Sequence, residues 1–95
     1  MVPPNRREPV THDMHILLIR MCLATLERML QRLQQRVGNR LLHPSEARAH
    51  ERYAEIIFNL GAGSILEIYP QQELANRLAM LWHDIHDIIS WNIDY

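Results

Sequence analysis

The sequence contains no lysine, so all ten of its basic side chains are arginines. It contains one cysteine, Cys22, which excludes an internal disulfide framework and gives no reason to expect an oxidising compartment. It also lacks a long apolar run, because Arg20 interrupts the stretch from Ile16 to Leu26, which is too short to span a bilayer. The beginning of the chain has no apolar segment typical of a signal peptide. We therefore expect a cytoplasmic protein without membrane insertion.

Charge is divided unevenly along the chain. Residues 1–52 carry nine arginines and five acidic residues, whereas residues 53–95 carry one arginine and six acidic residues. Such a division favours attraction within one bundle or across a dimer, although two solvated faces of different charge would give the same count. The arginines of the first half are spread around their helix and have no aromatic neighbour before Tyr53, so the pattern does not indicate a nucleic-acid partner.

Apolar residues recur at alternating steps of three and four in three segments, which is the pattern of amphipathic helices. The first stripe runs from Ile16 to Val37, the second from His50 to Ser64 and the third from Leu74 to Ile89. The sequence therefore predicts an all-α protein, an antiparallel bundle of three main helices in a single domain over residues 11–95, after a flexible segment of residues 1–10. Because a chain of 95 residues buries only about two thirds of the surface that its unfolded state exposes, a partner or a second copy could complete the core.

Capping residues and helix breakers set the expected helix ends. Thr11 and Ser45 are the predicted N-caps of the first two helices, and Pro70 suits the first turn of the third. The stretch GAGS at residues 61–64 has two interpretations: the second helix ends at Gly61, or it continues to about Ile68 while small residues admit a neighbouring backbone. We favour continuation, because helical spacing resumes after the glycines.

Two histidine motifs, HDMH at residues 12–15 and WHDIHD at residues 82–87, raise the question of a metal site. A zinc site needs three or four converging ligands, and the two motifs would lie about 18 Å apart along a three-helix bundle. On a helical wheel His83 and Asp87 lie opposite Ile85, with His86 at the border of the polar side. Solvated surface is therefore the favoured interpretation, and a metal-dependent protein using His83, His86 and Asp87 is the alternative.

The sequence lacks the usual signs of an enzyme or of a cofactor site. Gly61 and Gly63 have neither a following lysine nor a preceding strand, so they do not form a phosphate-binding loop. Cys22 lies beside the apolar stripe of the first helix, where a buried, inert thiol is expected. We predict that the protein is not an enzyme and binds no cofactor.

Apolar residues outside the three stripes predict a second apolar surface, which is typical of a site for another polypeptide. The candidate partner-binding residues are Phe58, Ala54, Trp91, Tyr95, Met21 and Leu17. The simplest occupants are an amphipathic helix of a client protein and a second copy of the chain.

The stretch YAEIIFNL (residues 53–60), followed by ELANRLAMLWHDIHDIISWNI (residues 73–93), resembles the last two main helices of the FliS-like flagellin-export chaperone family. The first helix, ILLIRMCLATLERML (residues 16–30), takes the place of the long apolar helix of that family. The matching positions are Ala54, Ile56, Ile57, Leu60, Glu73, Leu74, Ala75, Leu78, Leu81, Trp82 and Asn92.

This resemblance implies a small cytoplasmic helical chaperone that binds a secretion substrate. Such a protein would hold a helical segment of its client in hydrophobic grooves and prevent the client from polymerising early. The chain departs from the family at Thr11-His12, where the family has Ser/Thr followed by Pro, and in the connection at residues 61–72. A self-associating structural or regulatory protein, with its apolar surface as a homodimer seam, is the alternative.

Overall fold

The computed structural model describes residues 12–68 and 71–95, which form three helices that all contact one another. Helix α1 spans His12–Val37, α2 spans Pro44–Leu66 and α3 spans Gln72–Ser90. The predicted all-α bundle of three main helices is therefore confirmed. The predicted flexible segment, the predicted cap Thr11 and Pro70 lie outside the described residues.

Large aliphatic side chains from α1 and α3 fill the core, whereas α2 contributes small ones. The fully buried large side chains on these two helices are Ile19, Leu26, Leu33, Leu78, Ile85 and Ile89. The buried residues of α2 are Ala47, Ala54, Gly61 and Ser64. The first three of these recur every seven residues, so they form one line along which α2 lies close to both neighbours.

Because this line of small residues faces the core, two predictions for α2 were wrong. The predicted core stripe included Tyr53 and Leu60, but they are 51% and 49% exposed. Ala54, predicted to lie on the partner surface, is completely buried instead. The reason is that α2 turns its small residues inward, so larger apolar side chains are left on its flanks.

The second helix continues through the glycine-rich stretch, as predicted. A Cβ atom on Gly61 would lie 3.2 Å from Leu78 Cδ2 and 3.3 Å from Cys22 Cβ. Glycine therefore permits the close approach of α2 to both other helices at this point.

The start of α2 differs from the prediction. His43, not Ser45, is the N-cap: its Nδ1 atom accepts a hydrogen bond from the Ser45 N–H at 3.1 Å. The Glu46 carboxylate accepts in return from the His43 N–H at 3.3 Å, which completes a capping box. Pro44 occupies the first turn, where its missing N–H costs nothing, and this moves the helix start ahead of Ser45.

The end of the chain returns to the connection between α1 and α2. The Leu42 N–H donates to the Asn92 carbonyl at 2.7 Å, and the Asp94 N–H donates to the Leu42 carbonyl at 2.8 Å. Leu42 is completely buried by this closure. Because α3 ends beside the loop that follows α1, α1 and α3 run in the same direction. None of the three helices described has the length and hydropathy of a membrane span.

Candidate partner-binding surfaces

The six predicted partner-binding residues do not form one surface. Leu17 and Met21 are 59% and 57% exposed on the first half of α1. Trp91 and Tyr95 are 83% and 96% exposed beside the connection at the other end of the bundle. The stretch of α1 from Met21 to Val37 alone spans about 24 Å at the rise of an α-helix. These two pairs therefore belong to different ends of the molecule.

Phe58 is half-buried and forms one wall of a groove. Its ring stacks on Trp82 of α3, with centroids 4.7 Å apart and planes inclined by 24°. His86 meets the Trp82 ring edge-on, with the two ring centroids 4.3 Å apart. The aromatic contact fixes Phe58 in place, so this wall is preorganised.

Apolar residues line a groove between α2 and α3, next to Phe58, which we call the α2–α3 groove. It encloses about 250 Å³, and its walls are Phe58, Ala62, Ile65, Leu66, Ala75, Leu78 and Ala79. The three alanines leave the groove open, because longer side chains at their positions would fill the space between the helices. Leu66 is 84% exposed at the rim.

Sequence reasoning found only Phe58 in this groove. Leu78 was predicted as part of the core stripe of the third helix. The other walls were missed because they flank the core stripes and because alanine gives no strong signal. The spacing of Ala75 and Ala79, one helical turn apart beside Leu78, is the signal that could have indicated a shallow apolar face on α3.

A second candidate surface, with exposed apolar residues between charged ends, lies on the side of α2 that faces away from the core, and we call it the α2 outer face. It consists of Arg52, Ile56, Asn59, Leu60, Gly63 and Glu67, all of them exposed. Between Glu55 and Glu67 the helix carries no charge over residues 56–66, IIFNLGAGSIL. Ile56 is 62% exposed, which is unusual for an isoleucine in a folded helix. The sequence prediction missed this face because it assigned Leu60 to the core.

His83 and Asp87 lie on the surface, as predicted for solvated side chains, whereas His15 and His86 are partly buried. The Nδ1 atom of His83 is 3.4 Å from Asp87 Oδ2, and the two side chains are 73% and 55% exposed. At the start of α1, His12 lies 4.0 Å from Asp13. Throughout residues 12–68 and 71–95, no three His, Cys, Asp or Glu side chains come together as a metal-binding group.

Cys22 lies inside the bundle, 3% exposed, against the backbone of Gly61. Burial raises the pKa of its thiol, which lowers the fraction of reactive thiolate at neutral pH. This environment agrees with the inert thiol expected from the sequence.

Comparison of the chain with protein-family models, with curated proteins and with solved structures finds no match. The relation to flagellin-export chaperones depends on the residues quoted for it and stays a prediction. The geometry itself offers two candidate sites for another polypeptide, the α2–α3 groove and the α2 outer face.

Proposed function

We propose that the protein is a small helical protein-binding module, a cytoplasmic chaperone of the flagellar secretion type, that holds an amphipathic segment of a client in the α2–α3 groove. The observation that carries this proposal is the lining of the groove, in which every side chain is apolar. A groove of this kind gains free energy when apolar side chains of a partner displace its water, about 25 cal/mol for each Å² buried.

The shape of the groove supports a helical client. Its lining includes alanines of two antiparallel helices, Ala62 on α2 and Ala75 and Ala79 on α3, together with Phe58 and Leu66 of α2. An amphipathic helix presents apolar side chains every three or four residues, which suits an apolar groove between two helices. Because Phe58 is already stacked on Trp82, binding would require little ordering of this wall.

The experiment that tests this proposal compares two arginine substitutions on α3. Ala79 lies in the groove, whereas Asn76 lies one turn away on the polar side of the same helix, and both residues are exposed. Wild-type protein, Ala79→Arg and Asn76→Arg are immobilised without a histidine tag and exposed to lysate of the native host, and the retained proteins are identified by mass spectrometry. The helical segment of a retained client is then titrated into each variant.

We expect wild type and Asn76→Arg to retain the same secretion substrate and Ala79→Arg to lose it. At 100 times the dissociation constant, the client segment should stabilise the first two proteins by about 2.7 kcal/mol. Equal binding by all three proteins would show that the α2–α3 groove is not the client site. A set of clients unrelated to secretion would contradict the chaperone assignment.

A further inference from the structure

No contact among the described residues requires glycine at position 63. It is exposed, and apart from its own stretch of helix no described atom lies within 4 Å of the place where a Cβ would stand. Its φ is not in the left-handed region. Glycine weakens a helix interior relative to alanine, and here neither backbone geometry nor packing in the protomer requires it. Gly61, two residues earlier, is required by close packing, so the two glycines differ.

We propose that the α2 outer face binds the same face of a second copy, with the two α2 helices antiparallel about a twofold axis between Asn59 and Leu60. In this register two residues face each other when they lie equally far from the axis along α2, one before it and one after it. Ile56 of one copy therefore lies opposite Gly63 of the other. Ile56, the more exposed of the two large apolar side chains of the face, then fills the space left by the missing Cβ. The contact occurs twice because a twofold interface is self-complementary.

The same register pairs opposite charges at both ends of the interface. Arg52 lies opposite Glu67 of the second copy, and both residues are exposed and make no ion pair among the described residues of their own chain. A parallel arrangement would place Arg52 against Arg52 and Glu67 against Glu67. Charge therefore selects the antiparallel arrangement.

The end of α2 gives an independent reason for a cation at this position. Glu67 is the C-cap of α2, and the last turn contains no basic residue. A carboxylate at the negative end of a helix dipole is unfavourable, and an arginine from a second copy would offset it. The proposed Arg52–Glu67 contact also joins a basic residue of the arginine-rich half, 1–52, to an acidic residue of the acidic half, 53–95. Neither Arg–carboxylate ion pair seen within the described protomer, Arg36–Glu46 or Arg77–Glu27, does this.

Residues of α1 extend this interface. Gly61 touches Cys22, so the α1 residues around Met21 lie beside the α2 residues around Leu60. Arg28 of α1 and Tyr53 of α2 line one cavity between these two helices. Met21 lies seven residues before Arg28 and Leu60 lies seven residues after Tyr53, so each lies on the same side of its helix as that cavity residue. Met21, a predicted partner-binding residue, then flanks the dimer contact. The proposal does not depend on the client groove. Ala79, the groove residue substituted to test client binding, lies on α3 and outside the α2 outer face.

The test is a charge exchange monitored by sedimentation equilibrium of untagged protein over a wide range of concentrations. We expect wild type to dimerise and both Arg52→Glu and Glu67→Arg to weaken the dimer about tenfold, because each creates like-charge contacts at both ends. The double variant should regain the affinity of wild type. Circular dichroism checks that all variants stay helical, and Ala79→Arg serves as the control that leaves dimerisation unchanged.

A second variant tests the contact between Ile56 and Gly63. Gly63→Leu is expected to weaken the dimer while raising the melting temperature of the diluted protein, because leucine favours the helix but occupies the space that Ile56 needs. A wild-type protein that stays monomeric at every concentration would overturn the proposal. So would a dimer that neither charge variant weakens, or a double variant no better than the single ones.

Discussion

Two glycines in α2, separated by one residue, have opposite surroundings. Gly61 is buried against Leu78 and Cys22, whereas Gly63 faces open space. The cost of glycine in a helix is the same for both, so the difference between them comes from packing alone. They form a matched pair for measuring how closely the three helices approach.

Substitution of each glycine by alanine should separate these effects. We expect Gly63→Ala to raise the free energy of unfolding by about 0.5–1 kcal/mol, since it adds helix propensity without a contact. Gly61→Ala should be less stable than Gly63→Ala by about 1–2 kcal/mol, because the Cys22 Cβ belongs to the core of α1 and cannot move without shifting that helix. Urea unfolding of dilute protein measures both, and equal stability of the two variants would show that the bundle is more loosely packed at Gly61.

At the scale of the element, the Arg36 side chain joins the end of α1 to the start of α2. The Arg36 guanidinium donates to both Glu46 carboxylate oxygens, at 2.6 and 2.8 Å, and to the carbonyl of Arg40 at 2.8 Å. Glu46 also receives the His43 N–H, so the same carboxylate closes the capping box of α2. One side chain thus joins the last turn of α1 to the first turn of α2.

This arrangement makes part of the stability depend on pH. The hydrogen bonds from Arg36 hold the pKa of the Glu46 carboxyl below its usual value. The contribution of Glu46 is therefore complete above the pKa of the unfolded chain and is lost as the pH falls through the lower folded-state pKa. Glu46→Gln should melt below wild type at about pH 7, and the gap should narrow as the pH falls below the usual glutamate pKa of about 4.3. Glu55→Gln is the control, because Glu55 is exposed and has no ion pair within the described part of the chain; a gap that stays constant for Glu46→Gln would contradict the pairing.

The three helices were predictable from the sequence, but the rotation of α2 was not. The apolar stripes of α1 and α3 are wide and aliphatic. The same side of each helix is therefore buried whichever helix packs against it. On α2 the apolar residues cover more than one side, and the large ones suggested a stripe through Tyr53 and Leu60. The actual line, Ala47, Ala54 and Gly61, is visible only when two neighbouring helices are in place, because small residues become favourable when backbones approach closely.

At the scale of the whole molecule, the end of the bundle where α1 and α3 finish is closed by the residues that follow α3. The short segment after α3 pairs with Leu42 through two backbone hydrogen bonds and packs Ile93 against the core. This closure joins residues that are far apart in sequence, and it leaves Trp91 and Tyr95 outside. Their exposure is consistent with a surface role, but neither of the two candidate sites includes them.

Removal of residues 92–95 tests the closure. We expect a loss of about 2–4 kcal/mol, because two backbone hydrogen bonds disappear and Leu42 becomes exposed. Thermal unfolding should show this as a lower melting temperature, whereas removal of Tyr95 alone, which is 96% exposed, should change little. If the longer truncation melts like wild type, the segment does not hold the bundle closed.

The sequence by itself determined the fold class, the approximate helix bounds and the polar position of His83 and Asp87, because hydrophobic periodicity and helix breakers act locally along the chain. Only the tertiary structure decided which side of α2 faces inward, that His43 caps that helix, and that Phe58 belongs to a groove while Ala54 is buried. These features depend on how closely three helices approach one another, and that distance is set by small side chains whose own hydrophobic signal is weak.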